Sequence, residues 1–430
     1  MSAAAAGQGQ EAVLTIDSVG ARGDGIARRD GRPVYVPFTA PGDRVRVRLG
    51  AKSGEGSAAE LVELLAPGAR IAPCCRHFGA CGGCALQHLD AAAYAEAKES
   101  QIAAALRQHG LAAGVIAPLL RLPPGTRRRA RFALEHPRAG GAAPLAGFHA
   151  RASHRIVDMQ ECAVLHPALL ALAGALRRLV PRLWPRGSTG AATATLGDTG
   201  IDLLLDLAAP PALAALEDLA GFAEAQDLSR LAWRAPGMEE PVPAAIRRPP
   251  RVVFSGVPVG LPAEAFLQAS AAAEAALTAE VLAGIGAARR VADLYAGLGT
   301  LSFALAMRAA VHAVEGSRDA AAALAAAAAR AGLQRVTTEC RDLEARPLSA
   351  AELAPFEAVV FDPPRAGAKA QSAALARSAV PRLVAVSCNP ASFARDARLL
   401  VDGGYRLDRV QPIDQFVWSP HVELVAQFIR

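Results

Sequence analysis

Val291-Ala-Asp293-Leu-Tyr-Ala-Gly297-Leu-Gly299-Thr300 is a β-type run that ends on an acidic residue, turns through two glycines and opens a helix. Glycine at such a turn lets the backbone bend sharply and approach a ligand. Further apolar β-type runs at Val311 to Val314, Ala358 to Phe361 and Leu383 to Val386 alternate with helical stretches such as Leu301 to Ala309 and Asp319 to Ala331. This rhythm predicts an α/β fold with a mostly parallel sheet and helices on both faces. Ligands of such sheets collect at the carboxyl ends of the strands. The polar residues that end these runs are therefore the candidate site.

Three of those ends carry chemistry. The second run ends in Glu315, twenty-two residues after Asp293, where a carboxylate can bind ribose hydroxyls. The third glycine of a dinucleotide fingerprint is absent, and Asp-x-x-x-Gly-x-Gly is closer to the spacing in enzymes that use S-adenosylmethionine, which has no pyrophosphate to cradle. Phe361-Asp362-Pro-Pro-Arg365 closes the next run, and its two prolines stiffen the loop that holds the Asp362 carboxylate. Asp-Pro-Pro also occurs, usually before an aromatic residue, in enzymes that methylate exocyclic amines; Arg365 argues against that reading. Val386-Ser-Cys388-Asn-Pro390 puts a cysteine on a turn before a helix, where a thiol pKa can be depressed and the thiolate is a nucleophile.

The whole chain of 430 residues has room for several domains. Its 52% hydrophobic and 20% charged residues argue against wholesale disorder. Residues 1–10 read as a disordered leader and 11–68 as a small β-barrel, with runs such as Val34-Tyr-Val36 and Val45-Arg-Val47 between Gly/Asp/Pro turns. Residues 69–262 form a central domain; it holds a helical stretch from Ala91 to Gln108 and, between Ala235 and Pro262, seven prolines that mark a linker or irregular crossing. Residues 263–430 are the α/β domain. Of 46 basic residues only Lys52, Lys98 and Lys369 are lysine, and Pro118 to Gln160 holds eight arginines against two acids. Such a basic field suits a polyanion. No apolar stretch is long enough to span a bilayer, and the first ten residues lack a secretory pattern, so the expected location is the cytoplasm. Cys75, Cys81 and Cys84, with Cys162 as a fourth ligand and Cys74 and His77 as spares, suit zinc or an iron–sulfur cube equally.

Cys75-Arg-His-Phe-Gly-Ala-Cys81-Gly-Gly-Cys84-Ala-Leu-Gln-His88, Phe266-Leu-Gln268, the Asp293 to Thr300 loop, Asp362-Pro-Pro-Arg-Ala-Gly367, Ser387-Cys-Asn-Pro390 and His421-Val-Glu423 together resemble the bacterial RNA uracil-C5-methyltransferases. The order and extent of the match resemble the branch that has an N-terminal TRAM domain and a [4Fe-4S] cluster and modifies 23S ribosomal RNA. The resemblance implies a TRAM/OB-like barrel, a central iron–sulfur α/β domain and a Rossmann-like class I methyltransferase domain, with residues near 91–117 returning to pack on the last. It implies cluster ligation by Cys75, Cys81, Cys84 and Cys162. It also implies an S-adenosylmethionine site lined by Gln268, Tyr295, Glu315, Asp342 and Asp362 and shaped by Gly297, Gly299 and Thr300. Cys388 would be the nucleophile and Glu423 the base. Ala296, where relatives commonly carry cysteine, and Val-Trp-Ser-Pro before His421 depart from the pattern.

Uracil C5 is a poor nucleophile, and addition of a thiolate to C6 makes it enolate-like, after which a carboxylate must remove the C5 proton. The base must be splayed from any helix to be reached, with the barrel and Arg127 to Arg131 gripping the RNA backbone. Four protein thiolates would saturate the cluster's irons, which favours a structural or RNA-positioning role over radical chemistry. The competing functions are a transfer RNA uridine methyltransferase, an exocyclic-amine methyltransferase and a non-catalytic iron–sulfur RNA-binding protein. No obligate protein partner is evident, and a monomer is expected.

Overall fold

The computed structural model describes residues 10–53 and 56–430, so nearly all of the expected leader lies outside the described residues. The first module is one six-stranded sheet, formed by Glu11–Thr15, Ser18–Val19, Gly25–Arg29, Arg32–Val36, Arg44–Ser53 and Gly56–Ala66. Its core follows from period-two patterning: Val45 and Val47 point inward beside Val34 and Val36, while Arg46 and Arg48 face out and pair with Glu63 and Glu60. Buried Asp43 accepts from Ala40 N and Gly68 N and from Arg70, which ties the module's end to the chain that follows.

A second, seven-stranded sheet runs in the order Val242–Ile246, Arg230–Arg234, Gly200–Asp206, Ser188–Gly197, Arg129–His136, Leu145–His149, Ile156–Asp158. Its single parallel pair, Gly200–Asp206 with Arg230–Arg234, is the one whose connection contains a crossover helix, Leu213–Ala225. Helix Pro167–Leu183 covers the sheet with Leu169, Leu172, Leu176 and Leu179, a helical stripe. The proline-rich stretch is more regular than its composition predicts. Val242–Ile246 is an edge strand containing Pro243, and Arg251–Phe254 pairs with Val257–Gly260 as a hairpin. Proline is tolerated there because an edge strand leaves amides without partners in any case.

The third sheet, numbered within its own domain, comprises β1 (Arg290–Leu294), β2 (Ala310–Glu315), β3 (Val336–Cys340), β4 (Ala358–Phe361), β5 (Arg382–Ser387), β6 (Arg406–Ile413) and β7 (Glu423–Ile429). The order is β3-β2-β1-β4-β5-β7-β6, parallel through β5, with β7 antiparallel to both β5 and β6. Alternate residues enter opposite cores: Leu383 and Ala385 lie in one, Val384 and Val386 in the other. Helices cover both faces, which explains the nearly continuous apolar runs of the sequence.

Helix Ala91–Gln108, capped by Asp90 accepting from Ala93 N, precedes the second sheet in the chain but buries Ile102, Ala105 and Leu106 in the core of the third. Beyond it the backbone runs beside β6: Ala117 N donates to Val410 O at 2.8 Å and Leu120 N to Pro412 O at 2.9 Å. No helix among the described residues is long and apolar enough to cross a membrane.

Candidate active site

Parallel registry brings the ends of β1, β2, β4 and β5 to one edge. Leu294 pairs with both Val314 and Phe361, so Glu315 and Asp362 leave the sheet at the same level as the glycine loop. Antiparallel β7 then begins where β5 ends. Ser387 pairs with Leu424, which sets Glu423 beside Cys388, and Ile413 pairs with Glu423, which brings residues 414–421 over the same edge. Residues far apart in the chain thus share one site because one strand runs the other way.

The glycine loop is organised from within. Tyr295, Gly297 and Gly299 all have positive φ, at 60°, 56° and 91°. A Cβ on Gly299 would stand 2.6 Å from Phe303 Cε2, whereas one on Gly297 would meet nothing within 4 Å. Gly299 is therefore required by packing, and Gly297 faces open space that a ligand can occupy. Glu315 accepts from Gly297 N at 2.8 Å and from Ser317 N at 2.7 Å, so it shapes the loop while each oxygen keeps a lone pair for a ligand. Asp342 accepts from Glu344 N, and Tyr295 Oη donates to Glu344. Asp293, buried at the end of β1, accepts from Ser302 Oγ at 2.5 Å; burial pushes its carboxyl up to about 7.

Cys388 follows β5, and Asn389 caps helix Pro390–Asp402 by accepting from Ala391 N. The expectation of a depressed thiol pKa fails in the free protein. Burial pushes the Cys388 thiol up, and the charges of Glu423 and Asp362 add to it. The opposing group is Arg365, whose guanidinium favours the thiolate and contacts His421 Nδ1 at 3.1 Å. Glu423 is buried and Asp362 half-buried: desolvation raises Asp362 to about 7, and Glu423 is raised by burial and by Asp362. Gln268 Nε2 donates to Asp362 at 3.3 Å while its own Oε1 is buried without a partner, an acceptor free for a ligand.

Several residues of this site were not picked out in the sequence. Gln415 links Glu423 to Ala269 N. Lys98 is fully buried and donates to Asp414 Oδ1 at 2.6 Å, Phe416 O at 2.9 Å and His421 O at 2.7 Å. Tyr94 Oη donates to Asp414 and accepts from Trp418 N. The available signals were a lysine on an otherwise apolar helical face and Asp-Gln following an apolar strand, but Lys98 and Asp414 are 316 residues apart and Gln415 is 146 from Ala269.

The cysteine loop docks on the second sheet, with Gly82 N donating to His149 O and Arg76 N to Glu161. Burial, with smaller effects from Cys162, Cys81 and Cys75, pushes the Cys84 thiol up to about 12, so these three cysteines lie near it. Among the described residues no three His, Cys, Asp or Glu side chains close to the spacing of a single metal ion. Ala85 N and Leu86 N of this loop both donate to Trp418 O, which connects it to the active-site edge.

The arginine-rich segment is less free than its charge suggests. Arg128 pairs with Glu274, Arg131 with Asp206 at 2.7 Å and Arg151 with Asp24 at 2.5 Å, while Arg121 lies over the Tyr94 ring. Arg127 and Arg129 are drawn inside, where burial lowers their pKa values. Arg129 stacks over exposed Phe266, so it remains next to solvent at the domain junction.

A glycine loop with acidic strand ends, beside half-buried Cys388 and the carboxyls of Asp362 and Glu423, fits an S-adenosylmethionine-dependent methyltransferase. A family model described as tRNA (Uracil-5-)-methyltransferase matches residues 261–428, and a TRAM domain model matches residues 6–51. An uncharacterized RNA methyltransferase of Caulobacter vibrioides is 43% identical, with 97% of this chain and 99% of that protein covered. The 23S rRNA (uracil(1939)-C(5))-methyltransferase RlmD of Halomonas elongata is 36% identical over 95% of this chain and 88% of that one. The Pyrococcus abyssi tRNA (uracil-54, C5)-methyltransferase, solved with S-adenosyl-L-homocysteine, shares the fold at a TM-score of 0.73 and 22% identity, covering 97% of this chain and 100% of that chain. The chain belongs to the RNA uracil-C5 methyltransferase family and is an S-adenosylmethionine-dependent enzyme of that class.

Proposed function

We propose that this enzyme methylates C5 of one uridine in 23S ribosomal RNA, with Cys388 as nucleophile and Glu423 as base. The observation that carries the chemistry is the grouping of Cys388 with Arg365, Asp362 and Glu423 at one sheet edge. The RNA target follows the relative from Halomonas elongata. When bound, S-adenosylmethionine supplies an electrophilic methyl group. Glu315 and Asp342 would hold its polar groups, Gln268 and Tyr295 would flank it, and Gly297, Gly299 and Thr300 would leave it room.

Arg365 would stabilise the Cys388 thiolate as it adds to C6, opposing the burial that keeps the free thiol protonated. Asp362, neutral for much of the range below about 7, can donate to the uracil edge and spare the thiolate a neighbouring charge. Glu423 then takes the C5 proton. Cys75, Cys81, Cys84 and Cys162 would hold a [4Fe-4S] cluster, a reading supported by the placement of Cys75, Cys81 and Cys162 close enough to Cys84 to act on its thiol. The cluster would cross-link the cysteine loop to Cys162 and so brace the loop that holds Trp418.

The test uses protein purified without oxygen, S-adenosylmethionine and 5-fluorouridine-substituted 23S ribosomal RNA or transfer RNA. Fluorine cannot leave as a proton, so a denaturation-resistant adduct should accumulate with 23S RNA and require Cys388. An adduct with transfer RNA alone would reassign the target, and cofactor binding without any adduct would overturn the C5 mechanism.

A further inference from the structure

We infer that Gln415 is a positioning residue that fixes which oxygen of Glu423 receives the substrate proton; this rests on the reading of Glu423 as the base. Gln415 is 6% exposed and Glu423 is 3% exposed. The orientation of the Gln415 amide is settled by its surroundings. Ala269 N–H can only donate, so the atom facing it at 3.0 Å must be Oε1, and Nε2 then donates to Glu423 Oε2 at 2.8 Å.

A carboxyl oxygen that accepts from an amide N–H is poorly placed to carry a proton. The proton removed from C5 therefore goes to Glu423 Oε1. As it leaves, the C5–H electron pair forms the C5–C6 double bond, the C6–S bond breaks, and its electrons return to Cys388 as thiolate. Gln415 holds Oε2 while Oε1 does this work.

The same two-residue segment serves both carboxyls. Gln268 donates through its side chain to Asp362, and Ala269 fixes Gln415 through its backbone. Arg128 anchors the segment by donating to Gln268 O at 3.0 Å. A shift of this segment relative to the third sheet would thus disturb both functional carboxyls together.

The experiment compares Gln415→Met and Gln415→Glu with Glu423→Gln on ordinary substrate RNA, measuring methylated covalent adduct, product release and S-adenosylmethionine affinity. Gln415→Met keeps the shape but leaves Glu423 Oε2 without its donor. Gln415→Glu keeps the bond to Ala269 N and makes the contact with Glu423 a shared proton. Both should bind cofactor and form adduct normally yet release product about tenfold or more slowly. In Gln415→Met the rising limb of release against pH should move to higher pH, because the amide lowers the Glu423 pKa. Weaker cofactor binding with no adduct build-up would make Gln415 merely structural and overturn the inference. If Glu423→Gln itself builds up no adduct, the reading of Glu423 as base fails, independently of Gln415.

Discussion

Replacing Lys98 by methionine tests how the catalytic edge is held. The side chain has 0% exposure and its partner Asp414 has 2%, and the ammonium makes three bonds, to a carboxylate and to the carbonyls of Phe416 and His421. Methionine fills the same space, so little packing is lost. What remains is a buried carboxylate with only Tyr94 Oη as donor and the His421 carbonyl without its donor, while Phe416 O keeps the bond from Ser419 N. Breaking a buried ion pair from one side costs about 3–5 kcal/mol. Urea unfolding followed by circular dichroism should therefore show a loss of that order in Lys98→Met. Adding Asp414→Asn, which neutralises the stranded charge and can still accept from Tyr94, should recover about half of it or more. Turnover should fall in the single variant because residues 414–421 lose their post. A loss below about 1 kcal/mol, or no recovery in the double variant, would refute the reasoning.

Further tests address the cofactor loop, the buried aspartate and the cysteines. Gly299→Ala should lose cofactor affinity and about 1–3 kcal/mol of stability, measured by calorimetry and thermal melting, because φ is 91° and the new Cβ would meet Phe303 at 2.6 Å. Asp293 has a folded pKa raised to about 7, so its contribution is fully present below the unfolded value and is lost as pH rises through about 7. Between about pH 5 and about pH 8.5 the wild type should lose on the order of 2–3 kcal/mol relative to Asp293→Asn; an equal pH dependence of the two in urea melts would contradict this. Protein prepared without oxygen should carry iron and inorganic sulfide, and Cys162→Ser should lose most of both. Zinc in their place would replace the cluster by a mononuclear site.

The sequence by itself determined the α/β class of the catalytic domain and the candidate residues at its strand ends. Those signals are local: an apolar run, a turn and a helix report on their own neighbourhood, and the run at Arg290–Leu294 is a strand in the structure as read. Composition could count the arginines between Pro118 and Gln160 but could not show that Arg128, Arg131 and Arg151 are paired with acids elsewhere in the chain. The direction of the Cys388 pKa was likewise misread, because a turn before a helix is visible in one dimension and burial beside two carboxyls is not. The return of the 91–117 region to the catalytic domain was implied by the resemblance, but tertiary structure alone decided that Lys98 of that helix holds Asp414 and that Gln415 stands between Ala269 and Glu423. Both depend on pairings across more than a hundred residues, where the antiparallel course of β7, and no local preference, sets which side chains meet.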